Sequence, residues 1–404
     1  MTGLGGLTTS YRSPRYTPQR GLLGRLTAKG SALRRLDWPL VLAALALSGI
    51  GSLLVWSATR ARSDINHGDP QFFLVRHLMN TAIGIGLCAA VVLLGHHRLR
   101  TAVPFLYALA LVGVLAVLSP LGSTVNGAHS WIVLGGGFSV QPSEFCKIAI
   151  ILGMATLLSA RVDAGEDRFP RGGAIIQSLL LAGLPIGVIL LMPDLGSTMV
   201  MVVIILGLLL ASGASTRWLL GLVAGGGLGA FAVVRLHLLK QYQIARFAAF
   251  ADPGLDPSGV GYNTAQARIA IGSGGLTGSG LFHGTQTTGQ FVPEQQTDFV
   301  FTVAGEELGF VGAGLIIVLL GVVLWRACRI ARQADDLYST LVAAGVVAWF
   351  GFQGFENIGM TLGIMPVAGI PLPFVSYGGS SMFAIWTGIG LLQSVRMQRS
   401  PMGG

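Results

Sequence analysis

The amino-acid sequence predicts an all-α integral membrane protein with about ten transmembrane helices, both termini in the cytoplasm and a large extracytoplasmic loop before the eighth span. Only 11% of the 404 residues are charged. An average soluble domain has roughly 25%, so this chain has too few charges to cover a soluble surface. Apolar segments of about 20 residues, the length that a helix needs to cross a bilayer, recur along the chain. Lysine and arginine concentrate in alternate connections between these segments.

Ten apolar segments are predicted to span the membrane. They cover residues 38–58, 76–95, 102–119, 144–160, 174–192, 195–213, 216–235, 298–327, 338–362 and 377–396. The fifth and sixth are separated only by Pro193 and Asp194, which predicts a tight turn. The chain has 59 glycines, as expected where membrane helices pack closely.

Basic residues determine the predicted orientation of these spans. With the N-terminus in the cytoplasm, 18 of the 26 lysines and arginines fall on the cytoplasmic side, 7 fall on the outer side, and Lys147 lies within a span. The outer loops then cover residues 59–75, 120–143, 193–194, 236–297 and 363–376. The loop at 236–297 is much longer than structureless connections usually are, which indicates a function for it.

The chain divides into three predicted regions. Residues 1–36 contain seven basic and no acidic residues, which predicts a disordered cytoplasmic tail attracted to anionic lipid. Residues 37–398 form the polytopic membrane domain with its outer loop 236–297, and residues 399–404 form a short cytoplasmic tail. No cleaved signal peptide is predicted, because the basic tail contains no apolar core with a small-residue cleavage site.

Several common kinds of active site are excluded by the motifs that the sequence lacks. It has no G-x-x-x-x-G-K-[ST] phosphate loop, no H-E-x-x-H zinc site and no G-x-S-x-G nucleophile turn. The glycine-rich run GSGGLTGSGLFHG at 272–284 does not match G-x-G-x-x-G. Three isolated cysteines form no metal or disulfide pattern, and nothing predicts nucleic-acid binding.

Three charged residues at the ends of predicted spans are candidates for a site. Glu144 and Lys147 are three residues apart and share one helix face. They either form an ion pair that fixes one helix or line a polar cavity for an anionic or sugar substrate. Asp194 is predicted to cap the following helix, and a place in the site is an equally good interpretation of it.

Polar side chains and an irregular loop mark the end of the ninth span. Gln353, Glu356 and Asn357 share a helix face, where they either hydrogen-bond a neighbouring helix or line the same cavity. The stretch GIPLPFVSYGGSS at 369–381 follows. Its prolines and glycines predict a shaped loop over the outer mouth of the bundle, although a plain turn between two helices remains an alternative.

The stretch GQFVPEQQTDFVFTVAGEELGF at 289–310 places four carboxylates at the edge of, and within, the eighth span. Asp298 begins this span, so helix capping is one interpretation of its position. Glu306 lies roughly 12 Å deeper along a straight helix and about 80° round it. Glu307 faces away from Asp298. Asp298 alone is predicted to lie at the level where a substrate at the outer face would be reached.

The order and spacing of several motifs resemble the SEDS family of bacterial shape, elongation, division and sporulation proteins. The matching stretches are NGAHSWIVLGG, QPSEFCK, MPDLGS, FADPGLDPSGVGYNTAQARIAIGSGGLTGSGLF, FVPEQQTDFVFTVAGEELG and NIGMTLGIMPVAGIPLPFVSYGGSS. They extend from the first span to the last. Within the family, GIPLPFVSYGGSS and IAIGSGGLTGSGLF are more similar to the rod-shape branch, RodA, than to the division branch, FtsW. The stretch NGAHSWI lacks an arginine that many members place before the tryptophan, and Arg268 stands where the rod-shape branch often has lysine.

The resemblance implies a peptidoglycan glycosyltransferase in the bacterial cytoplasmic membrane. Its substrate would be lipid II, a disaccharide-pentapeptide on undecaprenyl diphosphate, polymerised into β-1,4 glycan strands during elongation. Asp298 maps onto the family's T-D-F aspartate and would be catalytic, and Glu144, Lys147 and Asp194 match positions that line the central cavity. A class B penicillin-binding protein would crosslink the new glycan, together with other proteins of the elongation complex.

The predicted reaction requires one base and a cationic environment for the leaving diphosphate. Asp298 would supply the base. The predicted cationic groups are Lys147, Arg246 and Arg268, with Gln266 as a further substrate-binding residue. A divalent cation, Mg²⁺ or Mn²⁺, held by acidic residues of the outer loops is an alternative that the sequence leaves open.

Other functions are also compatible with ten spans and polar groups within them. A division or sporulation role within the same family is one alternative. A lipid II flippase or other transporter is another, although such proteins usually have related halves, and no similarity between halves is visible in this sequence.

Overall fold

The computed structural model describes residues 35–125, 128–135, 138–192, 194–236, 250 and 260–398. Most of these residues are helical, which confirms the predicted all-α membrane fold. The two predicted tails, apart from residues 35–36, and Arg246 in the long outer loop lie outside the described residues.

Helices occur at all ten predicted spans. The first seven are α1 (Trp38–Thr59), α2 (Phe72–Leu94), α3 (His96–Val117), α4 (Pro142–Asp163), α5 (Gly172–Leu190), α6 (Leu195–Ala211) and α7 (Thr216–Arg235). The long outer loop contributes α8 (Val260–Ser273) and α9 (Thr285–Thr288). The remainder are α10 (Val300–Glu307), α11 (Gly309–Arg332), α12 (Leu337–Leu362) and α13 (Gly379–Gln398). Within the described part of the chain, seven helices are long and apolar enough to cross a membrane, and α6 is apolar but shorter.

A three-stranded sheet replaces part of the predicted outer loop at 120–143. Its strands are β1 (Gly122–Val125), β2 (Ala128–Gly135) and β3 (Phe138–Val140), in antiparallel order β1-β2-β3. Ser123 of β1 is paired with Trp131 of β2, and Ile132 is paired with Val140 of β3. The sheet leads directly into α4, so it fixes the start of the helix that carries Glu144 and Lys147.

The centre of the bundle is formed by α4 and α12. Helix α12 packs against α4, α6 and α11, and its Trp349 side chain is fully buried. A Cβ atom at Gly345 of α12 would lie 2.9 Å from the Ile151 side chain of α4. Glycine therefore permits the close approach of the two helices that carry most of the predicted polar site residues.

The predicted single span at 298–327 is wrong in one respect, because two helices occupy it. Helix α10 ends at Glu307 and α11 begins at Gly309, whose φ is +65°. The glycine-rich segment at 274–280 fills the break: the Ser279 and Gly280 N–H groups donate to the carbonyls of Glu306 and Glu307, at 2.9 and 3.0 Å. These bonds satisfy backbone groups that a helix end would otherwise leave unpaired. The break also removes Glu306 and Glu307 from the long helix.

Candidate active site

Asp298 lies in the turn before α10, one residue ahead of the N-cap position. The N-cap position is occupied by Phe299, with no side-chain cap hydrogen bond. The Asp298 side chain is half-buried. A Cβ atom on Gly369 would lie 3.4 Å from Asp298 Oδ2, and Gly369 has φ +69°. The backbone conformation therefore favours glycine at position 369, and the carboxylate lies within van der Waals reach of it.

The loop between α12 and α13 is fixed to the Asp298 segment by buried polar side chains of α12. Asn357 Nδ2 donates to the carbonyl of Asp298 at 2.8 Å and to that of Ile370 at 2.7 Å. Gln353 Nε2 donates to the Pro371 carbonyl at 2.8 Å. Of the two interpretations given above, the structure shows hydrogen bonding for Gln353 and Asn357. Both donate to backbone carbonyls, and Gln353 also accepts from the Lys147 side chain of the neighbouring helix α4.

The same loop is joined to the residues that immediately precede Asp298. The Tyr377 N–H donates to the Gln296 carbonyl at 2.8 Å, and Ser376 Oγ donates to the Thr297 carbonyl at 2.5 Å. The Leu372 N–H donates to the same Ser376 hydroxyl at 2.7 Å. Together with the Asn357 bond to the Asp298 carbonyl, these bonds hold the backbone at and just before the aspartate, as a precisely placed catalytic group requires.

Glu144 and Lys147 form a buried ion pair at the start of α4. Lys147 Nζ lies 2.5 Å from Glu144 Oε1 and donates to Gln353 Oε1 at 3.2 Å. Lys147 is 0% exposed and Glu144 is 1% exposed. Because Gln353 also binds the Pro371 carbonyl, the ion pair is linked through one side chain to the loop that lies beside Asp298.

Asp194 caps α6, as predicted, and also binds side chains at the start of α4. Its Oδ1 accepts from the Ser197 N–H at 3.0 Å and caps α6. Its Oδ2 accepts from Gln141 Nε2 at 3.1 Å and from Ser143 Oγ at 3.3 Å. Asp194 therefore joins the start of α6 to the start of α4, within one turn of Glu144.

A cavity of about 510 Å³ opens beside the turn that carries Asp298. It lies between α2, the sheet, this turn and the first residues of α13. Thr297 lines the cavity, and Asp298 is the next residue along the chain. Its polar and aromatic lining side chains include Arg62, Arg76, Asn80, Trp131, Glu294, Gln296 and Tyr377. Burial raises the pKa of the Tyr377 hydroxyl, and Arg76 partly offsets this shift.

The predicted substrate-binding residues of α8 lie apart from this cavity. Arg268 is exposed, and its guanidinium donates to the carbonyls of Leu362 and Gly363 at the C-terminal end of α12, at 3.2 and 3.0 Å. Its visible role is to cap that helix. Gln266 is half-buried on the same helix. Neither residue belongs to the lining of the cavity among the described residues.

Sequence reasoning did not identify the cationic residues of the cavity. Arg62 and Arg76 entered the prediction only as outer-side charges. The sequence contained one indication of this cavity, the polar side chain of Asn80 within an apolar helix, because an amide in a membrane span is costly unless it has a partner. In the structure, Asn80 is 4% exposed.

Glu306 and Glu307 stabilise the fold around the break between α10 and α11. Glu306 accepts hydrogen bonds from the Gln286 and Thr287 N–H groups, at 2.7 and 2.9 Å, and from the Thr287 hydroxyl at 2.7 Å. Glu307 Oε1 accepts from Ser57 Oγ at 2.6 Å. These two carboxylates therefore anchor α9 and α1 rather than facing the cavity.

A divalent cation held by acidic residues of the outer loops stays a prediction. Among the described residues, no three His, Cys, Asp or Glu side chains form a group that could hold a metal ion. The residues of the long outer loop between α7 and α8 are largely outside that set.

Comparison with known proteins gives consistent matches over nearly the whole chain. The family model for FtsW, RodA and SpoVE, described as cell cycle protein, matches residues 38–401. Stage V sporulation protein E of Bacillus subtilis (strain 168) is 38% identical over 362 residues, which cover 89% of this chain and 96% of that protein. A probable peptidoglycan glycosyltransferase FtsW of Thioalkalivibrio sulfidiphilus is 36% identical over 379 residues, which cover 92% of each chain.

Solved structures match the fold over a similar extent. A chain from a structure on the coordination of polymerization and crosslinking by a peptidoglycan synthase complex has a TM-score of 0.74 and 30% identity, covering 91% of this chain and 99% of that chain. The rod shape determining protein RodA of Thermus thermophilus has a TM-score of 0.64 and 29% identity, covering 90% of this chain and 97% of that chain.

Proposed function

This chain belongs to the FtsW, RodA and SpoVE family, and on that premise we propose that it is a peptidoglycan glycosyltransferase in which Asp298 is the catalytic base. The substrate is lipid II, and the products are a β-1,4 glycan strand and undecaprenyl diphosphate. The observation that carries the assignment of Asp298 is its position. The half-buried Asp298 directly follows Thr297, which lines the cavity. Hydrogen bonds from α12 and the 363–378 loop hold the backbone of this segment in place.

The chemistry is a single displacement with inversion at the anomeric carbon. The acceptor's 4-hydroxyl oxygen forms the new bond to the donor's anomeric carbon, while the bond from that carbon to the diphosphate oxygen breaks. Asp298 takes the hydroxyl proton, and the electron pair of the broken bond leaves with the diphosphate. Because diphosphate is a good leaving group, the second carboxylic acid used by inverting glycoside hydrolases is not needed.

Charge on the departing diphosphate requires cationic groups near the cavity. Of the three predicted cations, Lys147 is buried in its pair with Glu144, and Arg268 caps α12. Arg246 lies outside the described residues. The role of Lys147 and Glu144 in catalysis is then indirect: their contact with Gln353 supports the loop that lies beside Asp298.

A penicillin-binding protein is the proposed partner. A chain of similar fold belongs to a peptidoglycan synthase complex that coordinates polymerization with crosslinking. We propose that this chain supplies the polymerising half of such a complex, and that a class B penicillin-binding protein supplies the transpeptidase. Elongation is the proposed setting, from the likeness to the RodA branch, while the sporulation and division relatives make a role in those processes the second candidate.

The experiment that tests this function is synthesis of glycan strands from lipid II by the purified chain in lipid nanodiscs, with a class B partner present. We expect a ladder of strands on gels that lysozyme-type hydrolases digest. The transporter alternative predicts the opposite pattern: labelled lipid II would cross the bilayer of proteoliposomes, and no strands would form in either preparation.

A further inference from the structure

The cavity beside the Asp298 turn has the properties of an anion site. Two guanidinium groups, Arg62 and Arg76, line it together with Gly378 and Gly379, where the 20-residue helix α13 begins. The first N–H groups of a helix lack intrahelical acceptors and carry partial positive charge. Arginine side chains and a helix N-terminus that meet in one cavity are the combination that binds phosphate groups.

Among the described residues, one buried side chain of the same cavity has no hydrogen-bond donor, and a ligand would supply one. Asn80 is 4% exposed and lines the cavity, and its Oδ1 makes no hydrogen bond to any residue that the structure describes. It lies close to the start of α13, since a Cβ atom on Gly379 would be 3.5 Å from Asn80 Oδ1. Buried amide oxygens without a partner are uncommon and costly. A hydroxyl or amide group of a ligand at this place would supply the missing donor.

Arg62 is held by a partner that it can exchange. Its Nη2 lies 3.0 Å from Asp64, whose side chain is 55% exposed, and its Nη1 lies 3.5 Å from Gln296 Oε1. Its Nε makes no hydrogen bond within the described part of the chain. The Arg62 contact lowers the pKa of the Asp64 carboxyl. A surface ion pair with one exposed member is weak, so a more buried anion competes with it effectively.

We propose that Arg62 is a substrate-positioning residue, which releases Asp64 to bind the diphosphate of the polyprenyl-linked substrate between itself and Arg76. This inference rests on the proposed function. Gln296, which Arg62 already contacts, is two residues before Asp298 in the chain, so an anion held here lies beside the segment that carries the base.

The apolar part of the lining indicates that the ligand is amphiphilic. Met79 and Ile83 lie on α2 one turn apart, line the cavity, and are 38% and 41% exposed at its surface. Because α2 is long and apolar enough to cross a membrane, we expect these exposed side chains to face lipid. A diphosphate bound to Arg62 and Arg76 therefore has an apolar exit for an attached prenyl chain, which free phosphate does not require.

The test compares Arg62→Gln with Arg60→Gln in the strand-synthesis assay with the partner present. Arg60 is a matched control, since it lies two residues away, stacks on Phe282 at 4.5 Å and does not line the cavity. Loss of a charged hydrogen-bonding group predicts a KM for lipid II that rises roughly tenfold to a hundredfold in Arg62→Gln, with kcat within about threefold. Asp64→Asn should lower KM or leave it unchanged. An unchanged KM in Arg62→Gln, or an equal rise in Arg60→Gln, would overturn the proposal.

Competition by soluble diphosphates distinguishes a lipid-linked ligand from a free anion. Farnesyl diphosphate should inhibit wild type, and the concentration needed should rise about tenfold or more in Arg62→Gln. Inorganic pyrophosphate should inhibit far less, because it lacks the prenyl chain. Equal inhibition by both compounds contradicts the lipid-linked source.

Failure of this proposal can be told from failure of the proposed function. If Asp298→Asn still makes strands, the base assignment is wrong, yet the KM effect of Arg62→Gln remains measurable. If Arg62→Gln has wild-type KM while Asp298→Asn is inactive, the anion site is wrong and the base assignment stands.

Discussion

Four carboxylates in one apolar stretch perform different tasks at the scale of single residues. Asp298 lies beside the cavity, and Glu294 lines it and accepts from Thr297 Oγ1 at 3.1 Å. Glu306 and Glu307 are each 1% exposed and bind other segments of the protein. The sequence separates Asp298 from Glu306 and Glu307 by depth and by helix face. Their partners, such as Thr287 and Ser57, are distant in sequence and could not be predicted from it.

Glu306→Gln is expected to destabilise the protein without directly affecting the chemistry. The carboxylate oxygens accept from Gln286 and Thr287, and the amide of glutamine would place a donor against one of these donors. One mispaired buried group costs about 1–3 kcal/mol. The measurement is thermal unfolding of the purified variant. Glu166→Gln, at an exposed carboxylate, is the control and should melt like wild type; equal melting of both variants would show that Glu306 does not hold α9.

Lys147→Met should be strongly destabilising, because it leaves Glu144 buried and without its cation. Removing one member of a buried pair costs about 3–5 kcal/mol. The double variant Glu144→Gln with Lys147→Met removes both charges and should recover much of this loss. Unfolding midpoints of Glu144→Gln, Lys147→Met and the double variant give the coupling free energy between the two side chains. Independent, additive effects would contradict the short contact between the two side chains.

At the scale of elements, the positions of the helices could be predicted from apolar length, and the break between α10 and α11 could not. Apolar residues continue through the break, so the sequence predicts one span. The break is stabilised by the 274–280 segment, about 30 residues earlier, whose backbone N–H groups bind the last carbonyls of α10. The glycines of this segment matched no phosphate-binding motif, and their close backbone contacts explain them. In the sheet at 122–140, β1 and β3 have only four and three residues, too few for a recognisable alternating pattern.

Gly309→Ala should destabilise the break. Gly309 has φ +65°, and a Cβ atom there would lie 2.7 Å from the Leu276 carbonyl oxygen and closer still to the Gly278 nitrogen. Gly314→Ala in the same helix is the matched control, since a Cβ atom there meets nothing within 4 Å. The control should match wild type or gain up to about 1 kcal/mol from better helix propensity. A Gly309→Ala variant as stable as the control would mean that the break is not constrained by this glycine.

At the scale of the whole molecule, the fold class follows from the charge deficit and the apolar segments, whereas the orientation rests on the distribution of basic residues. Single cysteines in a cysteine-free background test it. Ser63 and Glu166 are exposed sites in predicted outer and cytoplasmic segments, respectively. In intact cells, Ser63→Cys should react with an impermeant thiol reagent and Glu166→Cys should be protected. The reverse pattern would place Asp298 on the cytoplasmic side and remove the proposed site from the outer face.

Only part of the candidate site could be predicted from the sequence. The sequence identifies polar residues that are unusual in apolar segments, such as Glu144, Lys147 and Asn357, because each is costly in a membrane. It does not show which of them support the backbone and which face a cavity. In the structure, Asn357 and Gln353 support the loop next to Asp298, and the cavity is lined by α2, the sheet, the turn before α10 and the start of α13.

The most direct test of the central claim is strand synthesis from lipid II by Asp298→Asn, with the penicillin-binding partner present. Asparagine keeps the size of the side chain but cannot accept the proton of the acceptor hydroxyl. We expect unfolding and partner binding like those of wild type, and a loss of at least 10²–10⁴-fold in strand synthesis, as is typical of a general base. Asp69→Asn, at an exposed carboxylate in the 59–75 loop, should retain full activity. Near-normal strands from Asp298→Asn would contradict the role of Asp298 as the base.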